Sequence, residues 1–281
     1  MMRKLESLFV HAVLIAAVVF AVYPLLWLIT LAFSKSPDLT SATALPVPRD
    51  VSLQNYRLLV GAGEAGGTSL FLGQLGNSLL VSAATALLSV AVATPAAYAL
   101  ARMRFPGKEA GTRTLLATQM FPAVAAALPL YLLLEVLHLL DTRTGLVLVY
   151  ATTSVPFAIF QLRGAIEGIP IELEEAAWVD GATRFQGFVK VILPTARPAI
   201  AVTALFAFMS AWNEFVLAAT ILSKKTAFTL PVVLQGYVGE HSAAWGVFAA
   251  GALLVSVPVM ILFYFLQREL VSGVTAGGVK G

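Results

Sequence analysis

The chain has 281 residues, of which 59% are hydrophobic and only 12% are charged. Average globular domains carry roughly 25% charged residues, so a water-soluble surface with half that share would expose extended apolar patches. Composition therefore excludes a soluble, disordered or collagen-like chain and predicts an integral membrane protein. The formal net charge is +3, but the sequence has no basic stretch interleaved with aromatic residues, which argues against nucleic-acid binding. The chain has no cysteine, which excludes disulfides, thiolate metal sites and cysteine nucleophiles.

Six long apolar segments follow one another, at residues 8–33, 75–100, 114–134, 145–162, 198–222 and 244–266. About 20 helical residues cross a ~30 Å hydrocarbon core, and only the fourth segment is marginal in length. The segments do not alternate between polar and apolar residues as membrane β-strands would. We predict an all-α integral membrane protein with six transmembrane helices, folded as one domain over residues 1–281. Prolines inside the segments predict kinks, because each proline frees a helical carbonyl.

The basic residues predict the orientation of these helices. Twelve of the 18 Lys and Arg residues lie in segments on the side of the amino terminus, and six lie on the opposite side. Cytoplasmic loops carry the excess of Lys and Arg, so we expect both termini in the cytoplasm. The first apolar segment is longer than the ~7–15-residue core of a cleavable signal peptide, so we expect it to remain as an anchor.

Two connections are long. On the outer side, residues 34–74 contain prolines and a glycine-rich stretch, which fits a solvated connector or a docking surface. On the cytoplasmic side, residues 163–197 carry a helix signal. Pro170 suits the first turn of a helix, and Gly181 predicts its end because glycine accepts a left-handed backbone. Near the positive end of the helix dipole lie three acidic residues, Glu172, Glu174 and Glu175.

A second short helix is predicted over residues 183–192, ended by Pro194, with the next span starting at Pro198. Two short helices joined by a glycine turn can act as a lever on the cytoplasmic face. Ala176 and Ala177 leave room for another surface to approach the backbone. The same pattern also fits an amphipathic helix that lies at the level of the lipid headgroups.

One stretch of this loop resembles the EAA loop of ABC importer permeases. The family pattern is Glu-Ala-Ala, three residues, Gly, nine residues, Ile, one residue and Leu-Pro. Here it reads Glu175, Ala176, Ala177, Gly181, Val191, Leu193 and Pro194, with Val191 as the one departure. The stretches 101–108, 211–215 and 267–281 are similar to the carbohydrate-uptake members of the family, the maltose-type, MalG-like permeases.

The resemblance implies a type I ABC importer permease architecture with a cytoplasmic coupling helix. It implies three partners: a second permease subunit (MalF-like), two copies of an ABC ATPase and an extracytoplasmic solute-binding protein, which would dock on the outer connections 34–74 and 223–243. The coupling contacts to the ATPase would be Glu175, Ala176, Ala177 and Gly181, while Leu193 and Pro194 would fix the return into the membrane. The tail residues Gly277, Gly278 and Lys280 would reach the ATPase, or would form a frayed terminus.

The chain contains no Gly-x-x-x-x-Gly-Lys-Ser/Thr phosphate loop. We therefore expect a non-catalytic transport subunit without a cofactor of its own, with ATP and Mg²⁺ bound by the partner ATPase. Three scattered histidines have no metal-ligand spacing. The expected location is the cytoplasmic (inner) membrane of a bacterium or archaeon.

Trp212, Asn213 and Glu214 are the candidates for the translocation path. A carboxylate inside a span is costly and indicates function by default. The indole ring and the amide beside it would suit a sugar. The alternative is that Glu214 pairs with a neighbouring helix or lies near the outer interface.

The predicted function is import of a sugar or oligosaccharide such as maltose, maltodextrin or trehalose. An ABC permease for another solute, such as a glycerol phosphate, is the first alternative. An ion-coupled secondary transporter would show several buried charged residues, whereas Glu214 is nearly alone. A membrane enzyme would need clustered catalytic side chains, and the sequence shows none.

Overall fold

The computed structural model describes residues 2–35, 46–47, 50–61, 69–239 and 244–278. Within these residues the chain is mostly helical, and Ser34 and Val51 form an isolated antiparallel bridge. The helices, in chain order, are α1 Met2–Phe33, α2 Gln54–Gly61, α3 Leu70–Arg102, α4 Lys108–Met120, α5 Ala123–Val136, α6 Arg143–Glu167, α7 Glu172–Val179, α8 Arg184–Gly187, α9 Leu193–Thr195, α10 Arg197–Trp212, α11 Val216–Ile221, α12 Leu230–Gln235 and α13 Trp245–Gly278. A π-helical turn, Phe188–Ile192, joins α8 to α9.

Four helices in the described part of the chain, α1, α3, α6 and α13, are long and apolar enough to cross a membrane. Two bent pairs, α4 with α5 and the helices on either side of Ala196, bring the number to six if each pair is one span. The prediction of a helical membrane protein is thus confirmed, and the described helices give four to six candidate spans where six were predicted.

Two of the expected spans are interrupted. The segment expected over 114–134 breaks at Phe121 and Pro122, which both have extended backbone (ψ 127° and 126°). The break follows from proline chemistry, because the proline ring disfavours helical backbone at the residue before it. The segment expected over 198–222 leaves the helix after Trp212 and resumes only at Val216.

Residues 1–73 and 233–258 form one compact unit. Its polar centre is Asn55, which is buried at the carboxyl end of α1. The Asn55 Nδ2 group lies 2.9–3.2 Å from the carbonyl oxygens of Leu31, Ala32 and Ser34. Carbonyls in the last turn of a helix lack the usual partner four residues on, so Asn55 supplies donors there in addition to the Ser34 N–H, which donates to the Leu31 carbonyl at 3.3 Å. Gly246 makes room for it, since a Cβ there would lie 2.6 Å from Asn55 Nδ2.

Residues 74–232 and 259–281 form the second unit, which holds two apolar clusters. One cluster joins α5, α6 and α11 and includes the buried residues Leu134, Tyr150 and Ile221. The other joins α3 and α6 to the segment around the π-helical turn. In this second cluster Ala93 and Ala97, one turn apart on α3, are fully buried. Small residues at such spacing let membrane helices approach closely.

Polar residues near the amino-terminal end of α3 form hydrogen bonds with the segment 225–230. Gln74 and Asn77 donate side-chain hydrogen bonds of 2.8–3.1 Å to backbone carbonyls in this segment, and Ser78 accepts one of 2.7 Å from its last N–H. Arg143, the first residue of α6, donates to Asn77 Oδ1 at 2.8 Å. The three elements are therefore joined by hydrogen bonds whose polar groups are mostly buried.

Asp141 fixes the neighbouring residues of the same connection. One carboxylate oxygen accepts hydrogen bonds from the backbone N–H groups of Ser223 (2.6 Å) and Lys224 (3.0 Å). Although burial raises the pKa of Asp141, the two N–H groups and the Lys224 charge outweigh it and hold the pKa below 3.8. The carboxylate form is therefore favoured in the folded state.

Asp141→Asn should lower the thermal unfolding temperature of the detergent-purified protein at pH 7 by about 2 to 4 °C. Because the folded-state pKa is depressed, the stabilisation by the carboxylate is complete above pH 3.8 and is lost as the pH falls through the lowered pKa. The difference between wild type and variant should therefore shrink on acidification. A difference that stays constant or grows would contradict this assignment.

Candidate functional site

The loop between α6 and α10 carries the candidate site, and its first element is α7. Glu172, Glu174 and Glu175 occupy the first turn, as expected from the helix dipole. The predicted helix end at Gly181 is also observed, since Gly181 has a φ of +88° two residues after the last helical residue. Pro170 differs from the expectation and lies just before α7, where its carbonyl accepts the N–H of Leu173 at 3.4 Å.

Glu174 is the buried residue of this first turn. Its side chain is completely inaccessible to solvent, and its Oε1 lies 2.6 Å from Nε of Arg102, a guanidinium group that is itself only 10% exposed. The Tyr98 hydroxyl donates to Glu174 Oε2 at 2.8 Å. Arg102 Nη2 also donates to the carbonyl of Ile169 at 2.5 Å. Each oxygen of the buried carboxylate thus has a donor, as a buried charge requires.

This hydrogen-bonded cluster, defined by Tyr98, Arg102, Glu174 and the Ile169 carbonyl, attaches the loop to α3. Arg102 is the last residue of α3 and Tyr98 lies one turn before it. Glu174 belongs to α7, and Ile169 belongs to the turn that leads into it. The cluster therefore ties both the helix and its entry turn to the end of a long apolar helix.

Aromatic and apolar groups exclude water from the cluster. The rings of Tyr98 and Phe188 lie with their centroids 4.7 Å apart. Ile166, Ile169 and Ile192 are buried in the same apolar cluster. The low polarity of these surroundings strengthens the ion pair and also makes either charge costly if its partner is removed.

The second half of the loop begins with a capping box at α8. Gln186 N–H donates to the Thr183 hydroxyl at 3.2 Å, and Thr183 N–H donates to Gln186 Oε1 at 2.8 Å. Arg184 stacks over the ring of Trp178 at 5.3 Å from its centroid. A Cβ at Gly187 would lie 3.1 Å from Trp178 Nε1, so glycine permits the close approach of Trp178 to α8 and hence the packing of the first half of the loop on the second.

The predicted end of the second helix at Pro194 is not observed. The helix that was expected over 183–192 continues through the π-helical turn into α9, and the bend of 73° comes at Ala196. Pro194 is the second residue of α9 and directly follows the π-helical turn, two residues before the bend.

The loop exposes one acidic and apolar face. Glu172, Leu173, Glu175 and Ala176 are exposed, and Val179 is 87% exposed. Phe185, on α8, is 73% exposed. Ala177 and Leu193 are half-buried, while Gly181 and Pro194 are exposed. The predicted coupling residues therefore divide between an outer face and positions that pack against the loop itself.

The three candidate path residues lie where α10 ends and α11 begins. Trp212 is buried and stacks on Phe208 with ring centroids 5.5 Å apart. The amide of Asn213 donates to the carbonyl of Met209 at 2.8 Å. Glu214 accepts the N–H groups of Leu217 (2.8 Å) and Ala218 (3.0 Å).

These contacts give Glu214 a structural function as the cap of α11, because the first N–H groups of a helix lack helical partners. The structure does not bring the three side chains together around a common cavity in the part of the chain that it describes. Of the predicted tail contacts, Gly277 and Gly278 are the last residues of α13, and Lys280 lies outside the described residues.

Sequence reasoning missed Tyr98 and Arg102 and treated Glu174 only as a dipole partner. Arg102 stands at the end of an apolar span, and Glu174 precedes the Glu-Ala-Ala stretch by one residue. The separation of 72 residues between them hides the pairing from any local pattern. The available signal is chemical, since a carboxylate that becomes buried when its helix packs must find a cation or hydrogen-bond donors.

Taken together, the apolar spans and the attached loop define a helical membrane protein. Residues 89–275 match the family described as binding-protein-dependent transport system inner membrane component. The chain belongs to this family.

Two relatives and one solved structure match nearly the whole chain. The chain is 36% identical over 264 residues to the trehalose transport system permease protein SugB of Mycobacterium tuberculosis, covering 93% of each chain. It is 37% identical over 284 residues to the maltose/maltodextrin transport system permease protein MalG of Vibrio vulnificus, covering 96% of this chain and 95% of the relative. A crystal structure of a bacterial ABC transporter involved in the import of the acidic polysaccharide alginate matches with a TM-score of 0.79 and 25% identity, covering 95% of this chain and 97% of that chain.

Glu174→Gln should destabilise the protein by about 3–5 kcal/mol, because it leaves the Arg102 guanidinium buried without its counter-charge. Thermal unfolding in detergent, followed by circular dichroism, measures this loss. The matched control is Glu109→Gln, which breaks an exposed pair whose partners, Arg113 and Glu109, are 76% and 81% exposed. The control should change stability by less than about 0.5 kcal/mol. Equal effects of the two substitutions would show that the buried pair contributes no more than a surface pair.

Proposed function

We propose that the chain is the permease subunit of an ATP-driven importer for a sugar or oligosaccharide, and that it forms the translocation path with a second permease subunit. The family description supports binding-protein-dependent transport. One relative is named as a trehalose permease and another as a maltose/maltodextrin permease, and these names support a carbohydrate as the solute. A disaccharide or a short oligosaccharide is therefore the substrate class that we assign.

The observation that carries the proposal is the construction of the loop. α7 is attached to α3 through the buried Glu174, and its opposite face presents Glu175, Ala176 and Val179 to solvent. This face combines an acid, a small residue and an exposed apolar residue, and such a surface can fit into a cleft on another protein. We infer that this face docks on the ATPase, and that Gly181 and the residues Leu193 and Pro194 shape the return of the chain to the membrane.

The energy source is assigned to a partner. The sequence has no phosphate-binding loop, so ATP and Mg²⁺ belong to a separate ATPase, of which two copies would serve two permease subunits. In this arrangement the chain is a non-catalytic transport subunit, and the tail residues Gly277, Gly278 and Lys280 would reach toward the ATPase.

The orientation follows from the distribution of charge. With the coupling loop and both termini in the cytoplasm, the segment 225–230 faces the opposite side of the inner membrane. Its backbone is held by Gln74, Asn77 and Ser78 of α3. Such a fixed surface suits docking of an extracytoplasmic solute-binding protein. Glu214, with Trp212 and Asn213, would then contribute to the path near the break between α10 and α11.

Reconstitution in vesicles tests the proposed function. With the second permease, the ATPase and the binding protein present, uptake of radiolabelled trehalose or maltose should require ATP and should survive collapse of the proton gradient by an uncoupler. Uptake that persists without the ATPase, or that stops with the uncoupler while ATP remains, would contradict the proposal.

Glu175→Lys should weaken association with the ATPase by about tenfold, because it reverses a charge at the proposed contact. Affinity is measured with the purified permease pair immobilised and the ATPase in solution. Glu109→Lys provides the matched control, since Glu109 is exposed on the same side of the membrane but outside the loop. Equal affinities of the two variants would place the ATPase contact elsewhere.

A further inference from the structure

A cavity of about 410 Å³ lies where α4 begins, beside the last turns of α6. Residues of the turn after α3, the first turns of α4 and one residue of α6 line it: Phe105, Gly107, Lys108, Glu109, Thr112 and Arg163. Both α3 and α6 are apolar enough to span a membrane, and α3 ends just before this turn. The cavity therefore lies near the ends of two spans, where lipid headgroups are expected.

Two cations line the cavity and keep N–H groups without protein partners. Lys108 is half-buried, and its ammonium group donates one hydrogen bond, to the Met103 carbonyl at 3.2 Å. The Arg163 side chain is 26% exposed, and its Nε donates to Glu167 at 2.7 Å. Its two terminal nitrogens have no hydrogen-bond partner among the described residues. Both side chains thus have donors left for a ligand.

The charges around the cavity favour an anion. Glu109 is the one acid among the residues that line it, and its side chain is 81% exposed and paired with Arg113 at 2.8 Å. Its charge is therefore offset outside the cavity, and Glu109 takes no part in the binding described below. The positive end of the α4 dipole also lies here, and no side chain caps this helix end.

An apolar track leads away from the cavity along α4. Phe105, at the start of the track, is 44% exposed. From Thr112, the residues one and two turns further on the same face are Leu116 and Met120. These two side chains are 49% and 85% exposed. The site therefore combines a cationic cavity with a continuous apolar stripe.

We propose that the cavity binds the headgroup of an anionic phospholipid, whose acyl chain lies along Leu116 and Met120. Oxygens of the lipid phosphate accept hydrogen bonds from Lys108 and Arg163, which are shorter and stronger for charged partners. The volume falls within the ~300–1,000 Å³ of pockets that take small molecules. Basic pockets between spans suit such headgroups. In the orientation proposed above, the lipid belongs to the cytoplasmic leaflet.

Lipid affinity tests the two cations. Native mass spectrometry of the full chain in detergent, titrated with phosphatidylglycerol, should show binding that Lys108→Gln combined with Arg163→Gln weakens by about tenfold or more. The charge-preserving pair Lys108→Arg and Arg163→Lys should keep most of the affinity, which separates lost charge from misfolding. Lys224→Gln with Lys225→Gln is the matched control, because it removes two exposed cations on the opposite face and should bind as wild type does. Phosphatidylcholine, whose headgroup is neutral overall, should not distinguish these variants.

The position of the lipid can be tested with introduced thiols, because the chain has no cysteine. Thr112→Cys places a thiol in the cavity, and Thr114→Cys places one on the opposite face of α4. Each variant is assembled with the second permease and the ATPase, delipidated, and reacted with a maleimide. Near-saturating phosphatidylglycerol should slow the reaction at residue 112 by about threefold or more and leave the rate at residue 114 unchanged.

Four results would overturn the inference. Equal phosphatidylglycerol affinities of the wild type and the Gln pair would show that the cations do not bind the lipid. Equal protection of the two thiols would place the lipid elsewhere. A thiol at residue 112 that is unreactive without lipid would show that another subunit covers the cavity. Displacement of the lipid by millimolar inorganic phosphate would identify a site for a free anion. None of these outcomes depends on the transported solute, so the proposed function would stand in each case.

Discussion

A buried ion pair between Arg102 and Glu174 joins the cytoplasmic loop to the longest apolar helix of the second unit. In surroundings made of isoleucine side chains and the Tyr98–Phe188 ring pair, neither charge can be left alone without a large cost. The pair therefore constrains the geometry more than it adds to stability. It requires that the end of α3 and the first turn of α7 stay together.

The constraint has a counterpart at the other end of α3. Gln74 and Asn77 hold the segment 225–230 through its backbone. The 28 helical steps from Gln74 to Arg102 span about 42 Å at 1.5 Å per residue. One helix thus has polar attachments at both of its ends, separated by about the thickness of a membrane. In the proposed transporter, α3 connects the coupling loop to the opposite face of the membrane. A displacement at either end would therefore act on the other through this helix.

The helical membrane class, the six apolar segments and the loop motif could all be predicted from the sequence. Gly181 could be assigned as a helix end because its conformation is a local property of glycine. The breaks were harder to predict. Pro122 lies in a segment apolar enough to span the membrane, and whether such a proline kinks the helix or ends it depends on the packing of its neighbours. The position of Glu214 inside an apolar segment is likewise explained by the break between α10 and α11, which apolar composition does not predict.

The pairing of Arg102 with Glu174 was beyond local reasoning, because it depends on how α3 and the loop meet in space. Amide hydrogen exchange tests its effect directly. In the wild-type protein the amides of α7 should exchange slowly, and Glu174→Gln should accelerate them by about tenfold or more while the amides of α3 stay protected. Unchanged exchange in α7 would show that other contacts hold the loop, and would contradict the claim that the buried ion pair fixes it to α3.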